Sequence, residues 1–197
     1  PVLLAGLLYL GSGIGLLALF GAGHWRRHGT AKQSNSFTKK DTAWLGGAIL
    51  FGGIIGPVLL MLGLTRTPAA SASLLLNLEG VFTALLAWVV FKENVDRRIA
   101  LGMLLILIAG SLLVWPASLA LGDVSGALMI TAACGCWAID NNLTRHVSIH
   151  DPMLVAGTKG LVAGMVNTGI ALGMGNVLPS LPQFALAGLL GFLGYGV

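Results

Sequence analysis

Long apolar runs recur along this chain, with short polar links between them. A membrane-crossing helix needs roughly 20 apolar residues. Seven stretches approach that length: about 1–22, 43–64, 69–91, 99–117, 124–141, 153–174 and 183–197. The alternating segments of about ten residues that mark barrel strands are missing. The pattern predicts an all-α integral membrane protein, a polytopic helix bundle. Because the links are short, neighbouring helices are expected to be antiparallel.

Composition agrees. Of 197 residues, 56% are hydrophobic and only 9% are charged, against about 25% charged in a soluble domain. The 29 glycines suit close helix packing in lipid, whereas in soluble helices each costs about 1 kcal/mol. No leader of the signal-peptide type precedes the first run, and the sequence is read as an internal fragment of a longer protein.

The net charge of +4 could suggest nucleic acid, but the basic residues sit in the links, where membrane topology explains them. Arg26, Arg27, Lys32, Lys39 and Lys40 follow the first run; Lys92, Arg97 and Arg98 follow the third; Arg145 follows the fifth. The intervening links hold Arg66 alone. Nine of the eleven basic residues therefore fall on one side, predicted to be cytoplasmic by the positive-inside rule. The first helix then runs inward.

An internal repeat is visible. "PVLLAGLLYLGSG" from Pro1 and "PMLVAGTKGLVAG" from Pro152 share Pro1/Pro152, Leu3/Leu154, Ala5/Ala156, Gly6/Gly157 and Gly13/Gly164. "WLGGAILFGG" from Trp44 and "ALAGLLGFLG" from Ala185 share Leu45/Leu186, Gly47/Gly188, Phe51/Phe192 and Gly53/Gly194. On the charge-derived topology the first and sixth helices run in opposite directions. Repeats of inverted orientation are common in secondary transporters.

The segment "NLEGVFTALLAWVVFKENVDRRIALGMLLILIAGSLLV", with Glu93 ending one helix and Gly102 leading the next, resembles the EamA-type drug/metabolite transporter family. "GALMITAACGCWAIDNNLTRHVSIHDP" resembles the opening of that family's second repeat. The resemblance implies inverted five-helix repeats, with about seven of ten helices present here: a first repeat at 1–117 lacking its first helix, and a truncated second repeat at 124–197. The family often has Pro where this chain has Glu79.

Glu79 lies near the middle of the third run, far from either interface. A central charge costs about 2.5–3.5 kcal/mol on insertion scales, and Glu is too short to snorkel out. It is expected to face the bundle interior, protonated or paired, with Thr83 one turn on sharing its face. As function it is a proton- or cation-coupling group; as structure it is a hydrogen-bonding link between helices. Asn77, on roughly the opposite face, suits helix–helix hydrogen bonding.

Lys159 in the sixth run and Asp140 near the end of the fifth lie at the same predicted side and can approach. Such a pair can fix two helices, form an intracellular gate or hold an anionic substrate. Trp137 can line a cavity or pack in the core. Asn141, Asn142, Arg145, His146 and His150 read as a solvated cytoplasmic mouth, and Phe37 as part of a solvated loop. Asp151-Pro152 has the signature of a helix start. Trp25, Trp44, Trp88 and Trp115 near run ends suit interfacial anchoring. Pro57 should kink or break the second helix. Cys134 and Cys136 fall on different helix faces and are read as small buried residues, with neither disulfide nor metal expected.

These features favour a secondary active transporter of a small organic metabolite or drug across the cell (inner, cytoplasmic) membrane of a bacterial-like cell, by proton-coupled efflux and alternating access. Expected partners are a small-molecule substrate, protons, the lipid bilayer and, as a candidate, a second copy of the chain; no cofactor, metal or nucleic acid is expected. A non-transporting membrane scaffold is the alternative. An intramembrane enzyme is less favoured: HExxH, GxSxG and Walker A patterns are absent.

Overall fold

The computed structural model describes residues 2–26, 37–92, 94, 96–114 and 124–195. The predicted roles of Arg27, Lys32, Glu93 and Trp115, and the side chain of Trp25, lie outside that description. Helices fill every predicted run: α1 (Val2–Arg26), α2 (Lys39–Ala48), a π-helical stretch (Ile49–Ile55), α3 (Gly56–Leu64), α4 (Ala69–Leu76), α5 (Leu78–Val89), α6 (Arg97–Val114), α7 (Val124–His146), α8 (Pro152–Gly173) and α9 (Leu181–Tyr195). Among the described residues no strand occurs. Four continuous stretches are long and apolar enough to cross a membrane: Val2–Gly23, Lys39–Leu64, Ala69–Val89 and Pro152–Gly173. This is an all-α, multi-pass membrane protein.

Two compact units divide the chain: Pro1–Ile54 with Leu143–Val197, and Ile55–Asn142. In the first unit, α1 packs against α8 and α9 through glycines. A Cβ at Gly13 would fall on the backbone of Gly160 and Leu161 of α8, and one at Gly11 on Gly188 of α9. Backbones this close gain dispersion contacts that larger side chains would prevent, a packing mode suited to lipid. The α1–α8 contacts come in pairs: Gly6 meets Thr168 while Gly157 meets Leu17, and Gly13 meets Leu161 while Gly164 meets Leu10. Leu45, Ile49, Val147, Val155 and Ala163 form this unit's buried apolar cluster, with Tyr9 and Phe37 packed against it.

Local chemistry sets the helix ends. Thr38 caps α2 in a reciprocal box with Asp41: the Asp41 amide donates to Thr38 Oγ1 at 3.2 Å and the Thr38 amide to Asp41 Oδ2 at 2.9 Å. Asp151 caps α8 as its sequence predicts, Oδ1 accepting from the amides of Met153 at 2.8 Å and Leu154 at 3.3 Å, with Pro152 in the first turn. Gly175, at φ +83°, closes α8, where the left-handed conformation costs glycine little.

In the second unit, α3 and α7 approach at Gly63, where a Cβ would meet Ile130 and the Gly126 carbonyl. Arg66 in the α3–α4 link donates to Ser125 Oγ at 3.0 Å. The stretch from 69 to 89 carries a one-residue irregularity at Asn77, whose backbone stays in the helical region, between α4 and α5.

Candidate functional site

The irregularity at Asn77 has a local cause. The Asn77 side-chain amide donates to the Ser73 carbonyl at 3.3 Å, and its backbone N–H reaches Leu74 at 3.1 Å. Asn in mid-helix competes with the regular ladder in this way. The structure thus gives Asn77 a bond within its own span, where the sequence suggested one between helices. Cys134 Sγ of α7 donates to the Leu75 carbonyl at 3.5 Å, with the Leu76 carbonyl at 3.9 Å. Cys134 is buried and free, as expected. A thiol is a weak donor; the Asn77 backbone N–H reaches the Leu75 carbonyl as well.

Glu79 sits in the first turn of α5, immediately after this irregularity. Backbone N–H groups at a helix start favour negative charge. Asn141 of α7 donates its side-chain amide to Glu79 Oε1 at 3.1 Å and to Thr83 Oγ1 at 3.3 Å. The neighbouring Asn142, 4% exposed, donates to the Thr83 carbonyl at 3.1 Å and the Ala138 carbonyl at 2.9 Å. Glu79 and Thr83 do share a face, and that face meets α7. Asn141 and Asn142 are helical residues rather than loop, because α7 continues to His146; Asn141 is exposed and Asn142 buried. On the same helix Trp137 is half-buried and Asp140 is buried, at 9% exposure.

Lys159 belongs to the other unit. Its ammonium donates to Thr144 Oγ1 at 3.0 Å. Both residues line a cavity of about 390 Å³ with Tyr9, Ser12, Ser148 and His150 as further polar lining. His150 is buried, at 7% exposure. It stacks on Phe37 with ring centroids 4.0 Å apart. Its Nε2 lies 3.2 Å from Asp41 Oδ2, a close contact outside aligned hydrogen-bond geometry, since Nε2 has no hydrogen-bond partner among the described residues. Both His150 and Phe37 therefore belong to a packed structure that the polar sequence around them concealed. His146 likewise stacks on Trp44, at 4.6 Å.

A second backbone irregularity precedes Pro57, where the predicted kink takes the form of the π-helical stretch Ile49–Ile55. Pro57 has no N–H to give the Gly53 carbonyl four residues earlier. The side chain of Asn167 on α8 supplies that donor instead, at 2.7 Å. Asn167 is fully buried, and Tyr9 approaches the adjacent Gly52 carbonyl at 3.5 Å.

Among the described residues no group of acidic, His and Cys side chains could hold a metal. No solved structure matches the chain. A relative from Methanothermobacter thermautotrophicus, named as an uncharacterized transporter, is 32% identical over 127 residues, which cover 59% of this chain and 36% of that protein. The chain thus spans about a third of the curated relative it matches. Residues 1–115 match the EamA-like transporter family. With more than half its length in that match, the chain belongs to the EamA-like transporter family.

Proposed function

We propose that this protein is a secondary active transporter that moves a small organic solute by alternating access, with proton-coupled efflux as the direction and Glu79 as the coupling group. The observation that carries the proposal is the pairing of Glu79 with Asn141 and Thr83 at a helix irregularity. An amide donates to a carboxylate more strongly than to a neutral carboxyl group. Taking up a proton at Glu79 therefore weakens the Asn141 bond and loosens α5 against α7. The irregularity at Asn77, which separates α4 from α5, lets α5 respond without dragging α4. Thr83 moves with Glu79, while Trp137 and Asp140 line the same helix as Asn141.

Inverted repeats at 1–117 and 124–197 belong to this proposal. The register that aligns Pro1 with Pro152 carries Gly6 to Gly157 and Leu17 to Thr168, so the contact Gly6–Thr168 maps onto Gly157–Leu17. Gly13–Leu161 maps onto Gly164–Leu10 in the same way. Such reciprocity is what a two-fold relation between α1 and α8 produces.

The test is flux in vesicles holding the full-length protein, under an imposed pH gradient, across a panel of small organic solutes. Wild type should carry a solute in a gradient-dependent manner, and Glu79→Gln should insert normally yet lose that dependence. Undiminished gradient-driven flux in Glu79→Gln would remove Glu79 from the mechanism.

A further inference from the structure

One face at the start of α2 meets two histidines. Phe37, Asp41 and Trp44 follow one another at spacings of four and three, which places them on the same side of a helical turn. Phe37 stacks on His150 with ring centroids 4.0 Å apart, Trp44 stacks on His146 at 4.6 Å, and Asp41 Oδ2 lies 3.2 Å from His150 Nε2. His146 ends α7 and His150 stands in the link to α8. We infer that this face is a proton-operated latch: the start of α2 is held on the α7–α8 link when His150 is protonated and is released when His150 is neutral. The inference goes beyond the transporter proposal and does not depend on it.

The chemistry follows from the contacts. Asp41 Oδ2 already accepts from the Thr38 amide at 2.9 Å and from the Thr38 hydroxyl at 2.8 Å, surroundings that suit a carboxylate anion. His150 Nε2 is buried beside that oxygen without an aligned hydrogen bond, so a neutral imidazole gains little from the contact. An imidazolium gains a charge attraction that needs no alignment, and burial strengthens it because the interior screens less than water does. It also presents a cation to the face of Phe37. Desolvation and like charge oppose the proton: Lys159 of α8 lines the same cavity as His150, Arg145 lies in the last turn of α7, and Lys39 and Lys40 begin α2. Asp151, next in the chain, adds negative charge but is committed to capping α8. His146 titrates in the same range as any imidazole and meets α2 through the Trp44 ring. Asp41 is the charged group in contact with the His150 ring, and its attraction sets the sign. That ring is also part of the cavity wall, so latch and cavity share one side chain.

Amide hydrogen exchange of the full-length protein in lipid tests this, read by mass spectrometry over residues 38–45 and corrected for the intrinsic pH dependence of exchange. Protection of that segment should rise roughly three-fold or more as pH falls from about 8 to about 5.5, the range in which an imidazole gains its charge. His150→Gln should flatten the response. Asp41→Asn, which keeps an acceptor for the Thr38 amide, should flatten it too, and His146→Gln should leave it in place. The inference is overturned if wild-type protection does not change with pH, if either His150→Gln or Asp41→Asn keeps the wild-type response, or if His146→Gln abolishes it. A histidine with a packing role alone would lower protection equally at every pH when replaced, and the response would survive. Because Glu79→Gln should respond as wild type does, failure here is distinguishable from failure of the proton-coupling proposal.

Discussion

Asn141 holds Glu79 by a 3.1 Å hydrogen bond and, with the same amide, reaches Thr83 at 3.3 Å. One side chain on α7 thereby fixes two positions, one turn apart, on α5. In a membrane such bonds contribute about 0.6 kcal/mol on average and up to about 1.7. Asn141→Leu should lower unfolding stability in detergent by about 1 kcal/mol. A double-mutant cycle with Glu79→Leu should give a coupling of roughly 0.5–2 kcal/mol. Additive losses would show that the two groups do not depend on one another.

The glycines divide into two classes with opposite expected responses. Gly13→Ala and Gly164→Ala place a methyl group against the backbone of the facing helix. Overpacking of this kind should destabilise by about 1–3 kcal/mol. A Cβ at Gly21 or Gly169 meets nothing within 4 Å, so alanine there should be neutral or stabilising by up to about 1 kcal/mol through helix propensity. Thermal unfolding followed by circular dichroism separates the classes. Equal responses at all four sites would contradict the described α1–α8 packing.

Asn167 and Pro57 should be linked through the Gly53 carbonyl. Removing the amide with Asn167→Leu leaves that carbonyl without its side-chain donor, at a cost of about 1–3 kcal/mol. Pro57→Ala restores a backbone N–H within reach of the same oxygen. In the Pro57→Ala background the cost of Asn167→Leu should fall by half or more. The same cost in both backgrounds would mean that Asn167 does not stand in for the missing backbone donor.

Much of the fold was legible because its cause is coarse. Hydropathy alone places helices in all seven runs, four of them long and apolar enough among the described residues to cross a membrane, since a helix in lipid must be both. Pro57 announced its own disruption, because a missing N–H is a property of the residue. Asn77 gave no comparable signal: it is one polar residue among leucines, and its bond to Ser73 emerges only from local geometry. Asn141 and Asn142 read as loop for a related reason, although Asn141 is exposed as expected. A polar helix end and a polar loop have the same composition, and only the continuation of α7 to His146 distinguishes them. Glu79 meets α7 through Asn141, a residue that lies just at the predicted helix end.

The most direct measurement concerns the ionisation of Glu79 itself. Infrared difference spectra of the full-length protein in lipid, wild type against Glu79→Gln, report the carbonyl stretch of a protonated carboxyl group as pH is varied. If Glu79 exchanges protons, a band absent from Glu79→Gln should appear as pH falls and vanish as it rises, within the range where the protein stays folded. A carboxyl group that remains ionised, or remains protonated, throughout that range would make Glu79 a fixed link between α5 and α7 and would contradict proton coupling.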